Sequence, residues 1–294
     1  MPDPAAQNAA WRSSGGHILA SSAFFGVMGI VNLTPDSFYD GGRCVSTGSG
    51  LARALRLYGD GADIVDFGAE TTKPGSEALS PEEEQARLLP VLRAARGASP
   101  DMVVSVDTYH AGTAAAALDL GAAVINDVSA CSFDPGLTDV LVQYKPGYVL
   151  MHHRGRPKTM QDGPRYDDVR REVASFFERE MTRLVKAGLP EDRIALDPGI
   201  GFGKTCAHNV DILAHPGELL SFGRPVLVGI SMKSVFGDLL GLPADDRGMA
   251  TQVATALLWS GGIFWHRVHD VAATRQSLAL AAALRPEQCE RASV

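Results

Sequence analysis

Short apolar runs rich in Val and Ile recur along the chain, each followed by a longer segment with apolar residues at helical spacing. That alternation predicts repeated βα units, whose strands are covered by helices and so read as near-continuous hydrophobic runs. Eight such pairs can be placed, with strands at 27–32, 63–68, 102–107, 123–127, 148–152, 194–197, 226–230 and 263–269. Residues 17–24 precede the first strand as a cap, and 1–16 read as a flexible polar extension. Two helices carry terminal signals. Ser80 and Glu83 form a capping box with Pro81 at the first helical position, ahead of an Ala/Leu/Arg segment ending near Gly97. The stretch 166–188 carries Val169, Val173, Phe176, Phe177, Met181, Leu184 and Val185 on helical spacing and stops at Gly188. Eight units without a reversal predict an α/β fold, a (β/α)8 TIM barrel as one domain over 17–294, with an open doubly wound sheet as the alternative.

Composition adjusts this picture little. The chain has 294 residues, 45% hydrophobic and 21% charged, so a single barrel of about 250 residues with a short extension accounts for its length. A net charge of −7 disfavours nucleic acid as a partner, although a local positive pocket for an anion stays compatible with it. Cys44, Cys131, Cys206 and Cys289 contain no C-x-x-C pair, so neither a zinc framework nor a disulfide scaffold is indicated. The apolar run 24–33 is about half the length that spans a bilayer. It reads as a buried strand in a cytoplasmic, membrane-free protein; Arg12 ahead of 18–30 leaves a signal peptide as the alternative.

Polar residues gather where the strands end: Asn32, Glu70 just past the second strand, Asp107, Asn126 with Asp127, His152, Asp197, Ser231 with Lys233, and Arg267 with His269. In a barrel these positions meet at one mouth, the face where catalytic loops assemble, although Asn, Asp and Ser also serve there as helix caps. The intervening loops, 33–43, 69–77 and 197–205, are rich in Gly and Pro, a composition that lets backbone amides approach an anion. The third matches no nucleotide motif, because Pro198 and Lys204 stand where a P-loop and a dinucleotide fingerprint need glycine. Arg267 and His269, two apart on one strand, point the same way and can grip one anion together. His152 and His153 are adjacent and must point apart, which suits structural roles for both.

From GIVNLTPDSFYDGG at 29–42 to RVHDV at 267–271 the chain resembles the dihydropteroate synthase family. The shared motifs include AETTKPG at 69–75, SVDT at 105–108, IND at 125–127, LMH at 150–152, LDPGIGFGKT at 196–205 and SMKS at 231–234. The resemblance implies condensation of 6-hydroxymethyl-7,8-dihydropterin diphosphate with p-aminobenzoate to 7,8-dihydropteroate and diphosphate, assisted by magnesium, in a homodimer. It implies a pterin pocket of Asp107, Asn126, Asp197 and Lys233 with Met151 and Phe202 as apolar walls. Asn32, Arg267 and His269 would hold the diphosphate, Asn32 through the metal. Phe38, Asp40, Thr72 and Pro74 in the first two loops would surround p-aminobenzoate, with Ser231 near its carboxylate. In the family's mechanism, close to SN1, the C–O bond breaks before the amine attacks, and Asp40 also stabilises the cation.

Three positions depart from the family pattern: Ala69 replaces a glycine, Lys73 an arginine and Met232 an arginine beside Lys233. Lysine keeps the charge but loses the planar fork, and methionine loses both. Two other readings remain open at this stage, a non-catalytic pterin-binding relative and a pterin-dependent methyltransferase. The diphosphate-directed pair Arg267 and His269 speaks against the methyltransferase, whose methyl donor carries no diphosphate.

Overall fold

The computed structural model describes residues 10–21, 23–34, 47–70, 78–156 and 158–284. Two short strands, β1 (Trp11–Arg12) and β2 (Ile18–Leu19), pair antiparallel ahead of the main sheet. Then follow β3 (Gly26–Asn32), β4 (Ile64–Gly68), β5 (Val104–Asp107), β6 (Val124–Asp127), β7 (Gly147–Met151), β8 (Ile194–Asp197), β9 (Leu227–Val228) and β10 (Trp265–Val268). These eight are parallel, in the order β8-β7-β6-β5-β4-β3-β10-β9. A parallel bridge from Leu196 to Val226 joins the two ends, so the sheet closes into the (β/α)8 barrel and the open-sheet alternative falls.

The outer layer is α1 (Thr47–Gly59), α2 (Pro81–Ala98), α3 (Ala111–Asp119), α4 (Leu137–Tyr144), α5 (Val169–Ala187), α6 (Cys206–Ala214), α7 (Pro216–Leu220), α8 (Ser234–Leu240), α9 (Gly248–Ser260) and α10 (Val271–Ala283). None of the described helices is long and apolar enough to cross a membrane. The α2 capping box forms as its sequence predicts: Ser80 Oγ accepts from Glu83 N and Glu83 Oε2 from Ser80 N, both at 3.2 Å. Gly188 ends α5 in the left-handed region (φ +116°), and Asp168, a cap the sequence did not reveal, starts it by accepting from Arg171 N.

Several strands are shorter than their apolar runs, β9 and β10 by the most. The 226–230 run contributes only Leu227–Val228 to the ladder, because the chain turns at Ile230, whose carbonyl accepts from Lys233 N at 3.2 Å. In the 263–269 run, Ile263 N instead closes the end of α9 on Leu258 O, and His269 N leaves the ladder for Ser231 Oγ.

The first hairpin moves the start of the ordered fold upstream of residue 17. Trp11, placed by sequence in a flexible extension, is 1% exposed and packs edge-on against Trp265, ring centroids 5.5 Å apart. Its indole N–H donates to Arg193 O at 2.8 Å. Trp11 and Leu19 join Met28, Ile64, Val124, Val149, Ala195, Leu227 and Trp265 in one apolar cluster. Those seven barrel residues point inward at the N-terminal end of their strands, so the hairpin is the barrel's floor. Gly26 is required beneath it, because any Cβ there would collide with the Trp265 ring.

Candidate active site

Strand side chains alternate, so the inward parity set by the floor carries up every strand. Met28 leads to Asn32, Ile64 to Asp66, Val124 to Asn126, Val149 to Met151, Ala195 to Asp197 and Trp265 to Arg267. Val103, packed on the floor cluster, leads likewise to Asp107. The interior is therefore apolar below and polar above. Gly68 and Gly229 share the inward parity and add no side chain, which leaves room at the C-terminal mouth.

Arg267 organises the upper layer. Its Nε donates to Asp66 Oδ2 at 2.7 Å and its Nη2 to Asp107 Oδ2 at 2.8 Å. Asn126 Nδ2 donates to the same Asp66 oxygen at 3.0 Å. Burial works against the Arg267 charge, but Asp66 and Asp107 more than offset it and hold the guanidinium above its usual range. Asp107 is pushed up to about 7, chiefly by burial, with Arg267 opposing and Asp66, Glu84 and Glu70 reinforcing.

On the opposite wall Asp197 Oδ1 accepts from Gly199 N at 2.7 Å. Burial raises this carboxyl, against the pull of Lys233, the Gly199 N–H, Arg267 and Lys204. Lys233 is lowered to about 8 by burial, with Asp197 supporting its charge. Its ammonium donates to Ile200 O and sits 4.7 Å from the centre of the Phe202 ring. Met151, Tyr109 and Val128 form an apolar cluster against which Phe202 and Phe133 pack. Asp107, Asn126, Asp197 and Lys233 thus lie close together at the C-terminal mouth, linked through Arg267 and Asp66, with Met151 and Phe202 beside them.

The glycine-rich loop after β8 is clamped from below. Lys204, 2% exposed, donates from Nζ to Gly199 O (2.9 Å), Phe202 O (3.1 Å) and His152 Nδ1 (2.8 Å). Burial first, then Lys204, keeps the His152 ring well below the usual histidine range. Burial also holds Lys204 well below its usual range, with Asp197 opposing, so the contact joins two groups whose charged forms burial disfavours. Gly199, at φ +64°, lies so close to His152 O that a Cβ would collide with it. His153 points away, with one ring nitrogen 2.9 Å from Ser129 O and the other 3.1 Å from Gly155 O, so both histidines are engaged in contacts within the fold. Asp127, fully buried, is a cap as well: it accepts from Ser129 N, Cys131 N and Tyr148 OH.

The other expectations divide. Arg267 and His269 do not share a partner here: Arg267 turns to Asp66 and Asp107, whereas His269 Nδ1 pairs with Ser231 Oγ at 2.9 Å. A side-chain fork inside the barrel and a backbone that has left the ladder separate what strand parity alone would align. Ser231 accordingly reaches His269 first. Asn32 stands half-buried at the end of β3. Phe38, Asp40, Thr72, Pro74 and Lys73 lie outside the described residues. Met232 holds φ +61°, an uncommon conformation for a side chain of its size, with its N–H on Thr251 Oγ1. It lines a groove of about 670 Å³ together with Arg53, Arg56, Ser231, Gln252 and His269.

Asp66 is the residue that sequence reasoning passed over. A lone carboxylate inside the apolar run IVDFG, on the same parity as Ile64, was the available signal.

Fold and mouth together make a closed barrel whose upper interior holds carboxylates, an amide and a lysine. The family model described as "Pterin binding enzyme" matches residues 28–269. The dihydropteroate synthase of Neisseria meningitidis serogroup C is 43% identical over 257 residues, which are 86% of this chain and 90% of that one. The mitochondrial folate synthesis bifunctional protein of Arabidopsis thaliana is 41% identical over 260 residues, and the chain spans about half of it (47%). The dihydropteroate synthase of Xanthomonas albilineans, solved with 4-aminobenzoic acid, superposes with a TM-score of 0.86 at 38% identity, covering 94% of this chain and 99% of that one. The chain belongs to the pterin-binding enzymes and, among them, to the dihydropteroate synthase family.

Proposed function

We propose that the chain joins 6-hydroxymethyl-7,8-dihydropterin diphosphate to p-aminobenzoate at this mouth, releasing 7,8-dihydropteroate and diphosphate. The observation that supports the reading is the gathering of Asp107, Asn126, Asp197 and Lys233 at one mouth beside Met151 and Phe202. A pterin offers adjacent N–H donors, which a buried carboxylate such as Asp197 accepts as a pair, and a carbonyl and ring nitrogen to which Lys233 donates. Asp107 and Asn126 take the opposite edge.

Heterolysis of the C–O bond sends its electron pair to the diphosphate and leaves a delocalised cation at the pterin methylene. The neutral amine then forms the C–N bond and sheds its proton. No strong base is required, because the attacking aromatic amine is already neutral at pH 7. Arg267 and His269 stabilise charge on the departing group. Magnesium, when bound, would supply positive charge to that group, and Asn32 is the residue that would hold it. A neutral amide oxygen at a strand end suits an ion that keeps mostly water and phosphate oxygens, and no group of three or more His, Cys, Asp or Glu that could hold a metal is found among the described residues. Phe38, Asp40, Thr72, Pro74 and Ser231 are assigned to the p-aminobenzoate side by resemblance, with sulfonamides as competitors there.

A cytoplasmic homodimer completes the reading. Its support is a stripe of exposed apolar side chains at helical spacing on α9, Met249, Val253 and Leu257, which a second copy would cover. The decisive assay measures diphosphate release with and without p-aminobenzoate. Release that depends on both substrates supports the synthase, and pterin binding without turnover would identify a non-catalytic relative.

Met232 gives a sharper test of the p-aminobenzoate side. Met232→Arg restores the cation usual in the family, at a groove shared with Ser231 and His269. The KM for p-aminobenzoate should fall by up to about ten-fold, since a charge-assisted hydrogen bond contributes about 1.5–3 kcal/mol before solvent screening. Pterin affinity should stay constant. Steady-state kinetics with an unchanged or higher KM would detach Met232 from the carboxylate.

A further inference from the structure

Asp66 lies in the middle of β4, fully buried between the apolar floor and the polar mouth. Taking a carboxylate out of water is costly, and an aliphatic side chain would pack this layer without that cost. What the carboxylate provides is visible in its contacts. Its Oδ2 accepts from Arg267 Nε on β10 and Asn126 Nδ2 on β6, residues 201 and 60 positions away in sequence. Oδ1 has no hydrogen-bond partner among the described residues.

Both contacts fix orientation. Asp66 Oδ2 accepts both hydrogen bonds, so Asn126 turns its NH2 group toward Asp66 and its carbonyl oxygen away. Arg267 is a rigid fork whose Nε edge rests on Asp66 while Nη2 rests on Asp107, a residue assigned to the pterin. We propose that Asp66 is a positioning residue: one oxygen anchors the Nε edge of Arg267 and sets the Asn126 amide, so that an arriving diphosphate draws only the Nη edge from Asp107. The guanidinium then pivots on a fixed contact instead of leaving the barrel wall. This rests on reading Arg267 as a diphosphate residue and Asp107 and Asn126 as pterin residues.

Asp66→Asn separates charge from hydrogen bonding. The amide oxygen can still accept from both donors, but Arg267 loses one of its two counter-charges and commits to Asp107. Asp107 is faced by Arg267 from β10, Asp66 from β4, Glu70 just past β4, Glu84 from α2 and Lys233 beyond β9. Removing the Asp66 charge removes one of the influences that hold its proton. Three results are expected by calorimetry and kinetics. Affinity for the pterin diphosphate falls about ten-fold or more, affinity for the pterin without phosphates falls less than about three-fold, and the acid limb of kcat/KM moves to lower pH. Equal losses for both ligands with an unmoved acid limb would overturn the proposal, since that is what a purely structural residue gives.

If Asp66→Asn fails to fold, the wild-type protein still decides. On adding inorganic diphosphate with magnesium, the Arg267 Nε–H should keep its slow exchange with water in 15N NMR, and loss of that protection overturns the anchor. Arg267→Ala serves as the control for the underlying reading. If it binds inorganic diphosphate as tightly as wild type, the site assignment itself fails, whatever Asp66→Asn does.

Discussion

Arg267→Ala is expected to lower kcat/KM for the pterin diphosphate by about two to four orders of magnitude and to make stability depend steeply on pH. The change leaves Asp66 and Asp107 facing each other in the barrel with their shared cation gone. Removing one partner of a buried ion pair costs about 3–5 kcal/mol, and each 1.36 kcal/mol is tenfold in rate where the lost contact acts in the transition state. The pH effect has a definite sign. Burial pushes Asp107 up to about 7 from the ordinary carboxylate value of 3.8, so its contribution to stability is fully present below about 3.8 and is lost as pH rises through about 7. Without Arg267 the carboxyl rises further, and the loss deepens and continues at higher pH. Melting temperatures of wild type and variant at pH 5, 7 and 9 test this. A variant that keeps the wild-type slope would mean that Arg267 does not hold Asp107 in solution.

Asp197→Asn should be the next most damaging change. The Gly199 N–H can still find an oxygen, but an NH2 group now faces substrate donors where a carboxylate accepted them. An unpaired buried group costs about 1–3 kcal/mol and more when charged, so pterin affinity should drop by about ten-fold to a thousand-fold. Lys233 also loses the principal charge that opposes its burial, which moves its titration below the present value of about 8. The basic limb of kcat/KM should therefore shift to lower pH. Calorimetry that finds unchanged pterin affinity would remove Asp197 from the pocket.

Much of this was legible without coordinates, and the pattern of success has a physical basis. Strands buried on both faces leave dense Val and Ile runs, so all eight barrel strands can be found, while the run at 226–230 overstates β9 because hydrophobicity does not register where a ladder ends. The Trp11 hairpin escaped because two-residue strands carry no periodicity and its packing partner, Trp265, lies at the other end of the chain. Polar strand ends led directly to Asp107, Asn126 and Asp197. Asp66 was missed because attention to strand ends overlooks a polar residue one layer deeper. The pairing of Arg267 with Asp66 spans 201 positions, and nothing in strand parity says which carboxylate a long side chain will reach.

The Trp11 floor bears on solvent access. An indole and a leucine stopper the N-terminal end of the strands, so among the described residues the polar layer above them is left to meet water from the opposite end. The seal is made by the start of the chain, which closes the foot of the strands and leaves their tips to the loops.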